Sequence, residues 1–163
     1  QSECLEGRGK LSTIKCETHL VPGASHARVA AMALYDDLEP LNAAELELIE
    51  KTAKGQDADY RTHDKETNDP AGGTEWCEER TIRGEIICAL LTGARDDWPI
   101  THRGLVDLGA RVTGEIDLDF ADVKVPFGLV GCHVEKPIDL RHARMNVLNL
   151  DGTHVPGLNA DGL

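Results

Sequence analysis

Apolar residues follow two rhythms along this chain: helical spacing between about residues 41 and 92, and from about residue 105 a longer step that suits neither a helix nor a plain strand. Residues 1–40 carry little periodicity, with Gly7, Gly9, Pro22, Gly23 and Pro40 as punctuation; a short helix over 25–34, N-capped by Ser25, is the regular element expected there. A clearer helix is predicted over 43–54. Asn42 with Glu45 three residues later forms a capping-box variant, Leu48, Ile49 and Ala53 continue an apolar stripe, and Gly55 stands where helices commonly end.

Residues 56–73, QDADYRTHDKETNDPAGG, are polar and contain Pro70, Gly72 and Gly73, so an exposed linker is expected. Behind Thr74 a second helix is predicted over 75–92. Ile82, Ile86 and Leu90 fall at i, i+4 and i+8, with Cys88, Ala89 and Leu91 beside them. Glu75, Glu78 and Glu79 suit the positive end of a helix, and Gly93 can close it.

The longer step is best counted. One ladder is Ala110, Ile116, Ala121, Phe127, Cys132, Ile138, Ala143, Leu148, Thr153, Leu158; a second, two residues later, is Val112, Leu118, Val123, Leu129, Val134, Leu140, Met145, Leu150, Val155, Ala160. Both advance by 6, 5, 6, 5, 6, 5, 5, 5 and 5 residues, so they stay in phase throughout. A sustained step near five fits a solenoid whose sides each turn a small and a larger apolar residue inward.

Ala121-Asp122-Val123, Cys132-His133-Val134, Ala143-Arg144-Met145 and Leu148-Asn149-Leu150-Asp151-Gly152 give this stretch the look of a pentapeptide-repeat protein. That resemblance implies a right-handed quadrilateral β-helix, with four five-residue sides per coil and the centre of each pentapeptide, with the residue two before it, pointing inward. A narrower resemblance spans roughly 41–163 and rests on Leu41-Asn42-Ala43-Ala44-Glu45, Arg80-Thr81-Ile82-Arg83-Gly84-Glu85-Ile86-Ile87, Arg103-Gly104-Leu105 and Gly109 to Leu118. It is similar to bacterial, largely actinobacterial, pentapeptide-repeat proteins often labelled oxidoreductase or membrane-associated oxidoreductase.

The expected fold class is therefore α+β. An irregular segment (1–40) leads into a helical cap region with a linker (41–100), and then into a short right-handed quadrilateral β-helix (101–163). Ile82, Ile86 and Leu90 are expected to face the first coil as its cap, since a solenoid end needs covering. Asp107 falls where the first inward apolar residue belongs, and a distorted first turn is expected there. The final edge at Leu158 to Leu163 has no visible cap, and an unpaired edge favours a homodimer through the C-terminal coil. The chain begins at Gln1 and stops at Leu163 within a continuing pattern, as expected of a processed, trimmed or naturally shortened chain.

Composition narrows the function classes. The 163 residues are 40% hydrophobic but only 4% aromatic, which argues against a large aromatic ligand pocket and suits a narrow coil filled by Ala, Val, Leu, Ile and Cys. A net charge of -12 argues against direct nucleic-acid binding. Residues 101–163 hold 6 Lys plus Arg against 9 Asp plus Glu, a net of -3, so most of the acidity lies before the ladders. No apolar run approaches the length of a membrane span and no signal segment opens the chain. Five scattered cysteines, Cys4, Cys16, Cys77, Cys88 and Cys132, read as reduced thiols in a cytoplasmic protein, with a Cys4–Cys16 disulfide as the alternative.

Candidate chemistry is sparse. Cys16 and His19, with Cys4 or His26 nearby, are the one conceivable zinc arrangement, against an ordinary surface role. No dinucleotide fingerprint, phosphate loop or nucleophile elbow occurs, so no cofactor is expected and a non-catalytic role is favoured over an enzymatic one. Cys132 sits on the inward ladder and should pack as an alanine would, with His133 beside it pointing outward. Asp117, Asp119, Asp122 and Asp139 lie at outward positions, as a solvated face. The expected function is a scaffold or protein-interaction module with an unidentified protein partner. The resemblance supplies two alternatives: an oxidoreductase, and a DNA mimic acting on a topoisomerase or another DNA-binding protein. Three coils at about 4.8 Å each reach only about 15 Å, a short rod for imitating DNA.

Overall fold

A computed structural model describes residue 35 and residues 37–163. The helix expected over 25–34 and the groupings of Cys4, Cys16, His19 and His26 lie outside the described residues.

Helix α1 spans Ala43–Lys54, as the local signals require. The Asn42 side chain accepts a hydrogen bond from the Glu45 N–H at 2.8 Å, and the Asn42 N–H donates to Glu45 Oε2 at 3.0 Å, which closes the capping box. Gly55, at φ 67°, supplies the left-handed residue that ends it.

The segment expected to be an exposed linker is part of the framework. Ala58–Asp59 forms β1, which pairs in parallel with Asp107 and Leu108; Ala58 and Tyr60 are buried. Short 3-10 turns follow at Glu66–Asn68, Pro70–Glu75 and Glu78–Arg80.

The helix expected over 75–92 is shorter than its spacing suggested. Thr81–Arg83 forms strand β2, and helix α2 covers only Gly84–Thr92. Two long-range contacts override the helical pattern. Arg80 donates from Nε and Nη2 to the Gly109 carbonyl at 3.0 and 2.7 Å, and β2 pairs with Arg111–Thr113, which sets Ile82 beside Val112. Gly84 lets α2 start flush against the neighbouring wall, since a Cβ there would sit 2.4 Å from the Glu115 carbonyl oxygen. Gly93 then caps the helix at φ 62°.

From residue 105 the chain forms ten short strands: β3 (Leu105–Leu108), β4 (Arg111–Thr113), β5 (Ile116–Asp117), β6 (Asp122–Val123), β7 (Phe127–Val130), β8 (His133–Val134), β9 (Ile138–Asp139), β10 (Arg144–Met145), β11 (Leu148–Asn149) and β12 (Leu158–Asn159). They join four parallel sheets, ordered β1-β3-β7-β11, β2-β4-β8, β12-β9-β5 and β10-β6. Leu105 pairs with Phe127, Ile116 with Ile138 and Asp122 with Arg144, all at one and the same interval along the chain. The interval shortens slightly from Phe127 to its partner Leu148, and again from Ile138 to its partner Leu158. Parallel partners that far apart require a full layer of chain between them, an arrangement compatible with a parallel β-solenoid and not closed into a barrel.

The distortion expected at Asp107 is not found. β3 keeps four consecutive pairs with β7, Leu105 to Phe127 through Leu108 to Val130. Apolar neighbours and backbone pairing hold the strand, and the carboxyl simply occupies the space an apolar side chain would fill. One apolar core runs unbroken from Leu48 through Ile82, Ile86 and Leu90 into Leu105, Val112, Ile116 and Leu129. At about 2 kcal/mol for each fully buried Leu or Ile, this stacking outweighs anything the short strands gain from their own hydrogen bonds.

Candidate functional site

Three places can carry function: the interior of the layered stack, its face at 143–163, and the cleft between α2 and the stack.

In the interior, Ala110, Val112, Ile116, Leu118, Val123, Phe127, Leu129, Cys132, Val134, Ile138, Leu140 and Ala143 are buried, together with Ile82, Ile86 and Leu90 beside the first layer. Ala121, Met145, Leu148 and Leu150 are half-buried. Cys132 donates from Sγ to the Asp107 backbone carbonyl at 3.4 Å, and burial holds its thiol well above the usual range. Such a group stays a thiol and packs as a small apolar side chain.

Asp107 is the exception in this interior. It is fully buried, it pairs with Ala58 on one side and Leu129 on the other, and neither carboxyl oxygen has a hydrogen-bond partner among the described residues. Burial first, and the Asp59 charge second, push its pKa well above the ordinary value, which favours a neutral carboxylic acid here.

The apolar column emerges at the face formed by 143–163. Leu148 stands half-buried over the wholly buried Phe127, and Leu158, 46% exposed, stands over Ile138, which is 0% exposed. β10, β11 and β12 are terminal strands of their sheets, so among the described residues each has one unpaired backbone edge.

The cleft, about 550 Å³, is bordered by Tyr35, Glu85, Cys88, Thr92, Asp117 and Phe120. Burial, followed by the charges of Asp117 and Glu85, pushes the Cys88 thiol up to about 12, although the Asp117 N–H works against the shift. Burial likewise pushes the Tyr35 hydroxyl up to about 12. Burial thus favours the neutral thiol of Cys88 and the neutral phenol of Tyr35. Among its carboxylates, Glu115 pairs with Lys136 at 3.1 Å, and Asp119 lies 3.3 Å from His142 Nδ1.

Outward positions are mixed. Asp117 and Asp122 are exposed, Asp119 and Asp139 half-buried. His133 points out of the stack yet is buried, because the Pro70–Glu75 turn lies across it: His133 Nδ1 is 2.7 Å from the Pro70 carbonyl, and a Cβ on Gly73 would sit 2.1 Å from His133 Cβ. The His133 and His154 rings stack 5.0 Å apart, one layer to the next. Sequence reasoning missed this cover and the buried Arg80 beside it, which lies over the Trp76 ring and donates to the Thr67 and Gly109 carbonyls; Gly72-Gly73 behind Pro70 was the only local hint. Among the described residues no group of three or more His, Cys, Asp or Glu is placed to hold a metal, and no helix is long and apolar enough to cross a membrane.

Comparison with family models, with curated proteins and with solved structures returns no match.

Proposed function

We propose that the chain is a non-catalytic protein-interaction module built on a short pentapeptide-repeat solenoid, and that it associates with a second copy through the face at 143–163. The observation that carries this reading is the emergence of the apolar column there, with Leu148 and Leu150 half-buried and Leu158 at 46% exposure, next to strand edges unpaired among the described residues. A second copy presents a surface of the same cross-section and the same spacing of backbone donors and acceptors. The recurring interval between paired strands and the four parallel sheets favour a right-handed quadrilateral β-helix as the form of the stack. Cys77, Cys88 and Cys132, all free, support a cytoplasmic setting.

The DNA-mimic alternative is disfavoured by the pairing of the stack's own carboxylates with cations: Glu135 with Arg111, Glu115 with Lys136 and Asp139 with Arg141. Sedimentation velocity of the wild type and of Leu158→Glu tests the main reading. The wild type is expected to sediment as a dimer and the variant as a monomer. A wild type that stays monomeric at every concentration overturns the proposed homodimer.

A further inference from the structure

Asp107 occupies an inward position of the first layer, and its setting has a direction. On one side lies β7, four residues long and in register with β3 along its whole length; on the other lies β1, only two residues long, pairing with Asp107 and Leu108 alone. One more hydrogen bond, from the Tyr60 N–H to the Leu108 carbonyl at 2.9 Å, prolongs the β1 contact. Tyr60 also hooks this segment to α1 by donating its hydroxyl hydrogen to the Ala44 carbonyl at 2.7 Å. The thin side of the Asp107 chamber is therefore the β1 side.

We propose that Asp107 is a proton-operated latch: with its carboxyl neutral β1 lies closed on β3, and when the carboxyl ionises β1 lifts away and bares the edge of β3.

The groups around the carboxyl support this. β1 contributes Asp59, whose charge repels a carboxylate; the neighbouring cation, Arg61, is committed to Asp59 through Nε and Nη2 at 2.8 and 2.7 Å, and the Tyr60 hydroxyl is already engaged. The next layer contributes the Cys132 thiol, held neutral by burial. β7, Phe127–Val130, carries no titratable side chain. From α1, Glu45 is held by Arg83 and Glu47 is acidic. The Arg80 guanidinium is committed to the Gly109 carbonyl. Among the described residues no cation and no donor therefore waits for an ionised Asp107, and a carboxylate formed here gains hydration only by opening its surroundings. Opening at β1 breaks the fewest contacts.

Linkage sets the sign. In the open form the carboxyl has an ordinary pKa of about 3.9, while in the closed form burial and Asp59 hold it well above that. The ratio of open to closed molecules is flat below about pH 4, rises about tenfold per pH unit above it, and levels off once the closed-form midpoint is passed. The latch is thus shut in acid and loosens as pH rises. It is independent of the contact surface at 143–163.

The test is a carbon-detected NMR titration of the full chain, with Asp107→Asn used to assign the Asp107 carboxyl signal and Asp107→Leu as the proton-insensitive form. Asp107 is expected to titrate well above the other aspartates, and the amide signals of Ala58, Asp59 and Tyr60 to move with its midpoint while those of Ile138 and Asp139 do not. In Asp107→Leu the Ala58–Tyr60 signals should stay fixed across that range. An Asp107 carboxyl that titrates near the ordinary value, latch amides indifferent to its midpoint, or loss of β1 and β9 signals together as the whole molecule unfolds would each overturn the proposal. If a variant does not fold, the wild-type titration decides alone.

Discussion

Two carboxylates are withdrawn from water, one in the cap and one in the layered stack, and their surroundings are opposite. Glu45, on α1, accepts from the Asn42 N–H at 3.0 Å, from the Arg83 N–H at 3.2 Å, and from Arg83 Nε and Nη2 at 2.6 and 2.8 Å. Burial would raise its pKa, but these hydrogen bonds outweigh it and hold Glu45 below the usual carboxylate range. Asp107 is equally hidden and has no such partner among the described residues, so its pKa moves the other way. Burial by itself therefore does not decide whether a carboxyl is charged. The cap commits donors to its acid, whereas the walls of the stack use most of their backbone donors to pair layer with layer and aim none at Asp107.

Removing the partnered acid should have the largest effect. Glu45→Ala is expected to cost about 3 kcal/mol in urea unfolding, at the low end for a buried ion pair because the Arg83 side chain stays 35% exposed. The same substitution should flatten the acid side of the stability profile: a depressed folded pKa contributes stability that is lost as pH falls through that value. An unchanged midpoint would mean that Arg83 finds equal partners in the Leu38 and Pro40 carbonyls it already touches.

Asp107→Leu should act in the reverse sense, stabilising the fold by about 2 kcal/mol through removal of an unsatisfied buried group. The wild type loses stability as pH rises from about 4 towards the raised Asp107 value, since the folded form binds the extra proton, and the variant should not. Thermal melts at several pH values read both effects; a less stable variant would break the contrast with Glu45. The smallest expected change is Asn42→Ala, about 1 kcal/mol for one half of the capping box, measurable as a shift in the urea midpoint with Glu45 still on Arg83.

How much could be read in advance depended on the range over which each signal acts. α1 was legible to its last residue because Asn42, Glu45 and Gly55 act within a turn of the places they mark. The start of α2 was not. Ile82 stands at helical spacing from Ile86 and so mimics a helical stripe, but its partner is Val112, far along the chain, and strand pairing took it. β1 hid inside a polar stretch where only the alternation of Ala58 and Tyr60 pointed inward. Asp107 was visible as an anomaly, yet a local view expected distortion where unbroken pairing with β7 absorbs the misfit. From the ladders an uncapped edge was expected at Leu158 to Leu163, whereas the cleft beside α2 depends on two segments meeting and had no sequence signature.

The near-constant interval between paired strands also governs how such a chain can change length over generations. Val112 meets Val134 and Ile116 meets Ile138 at the same separation, so a tandem duplication of one such stretch of codons delivers a new layer whose upper and lower faces already match its neighbours. An insertion of a single codon within a strand instead turns every downstream inward side chain towards water unless a corner absorbs it. Inherited growth of this molecule is therefore quantised, and the shorter intervals leading to Leu148 and Leu158 show that corners can differ by a residue or so without loss of register.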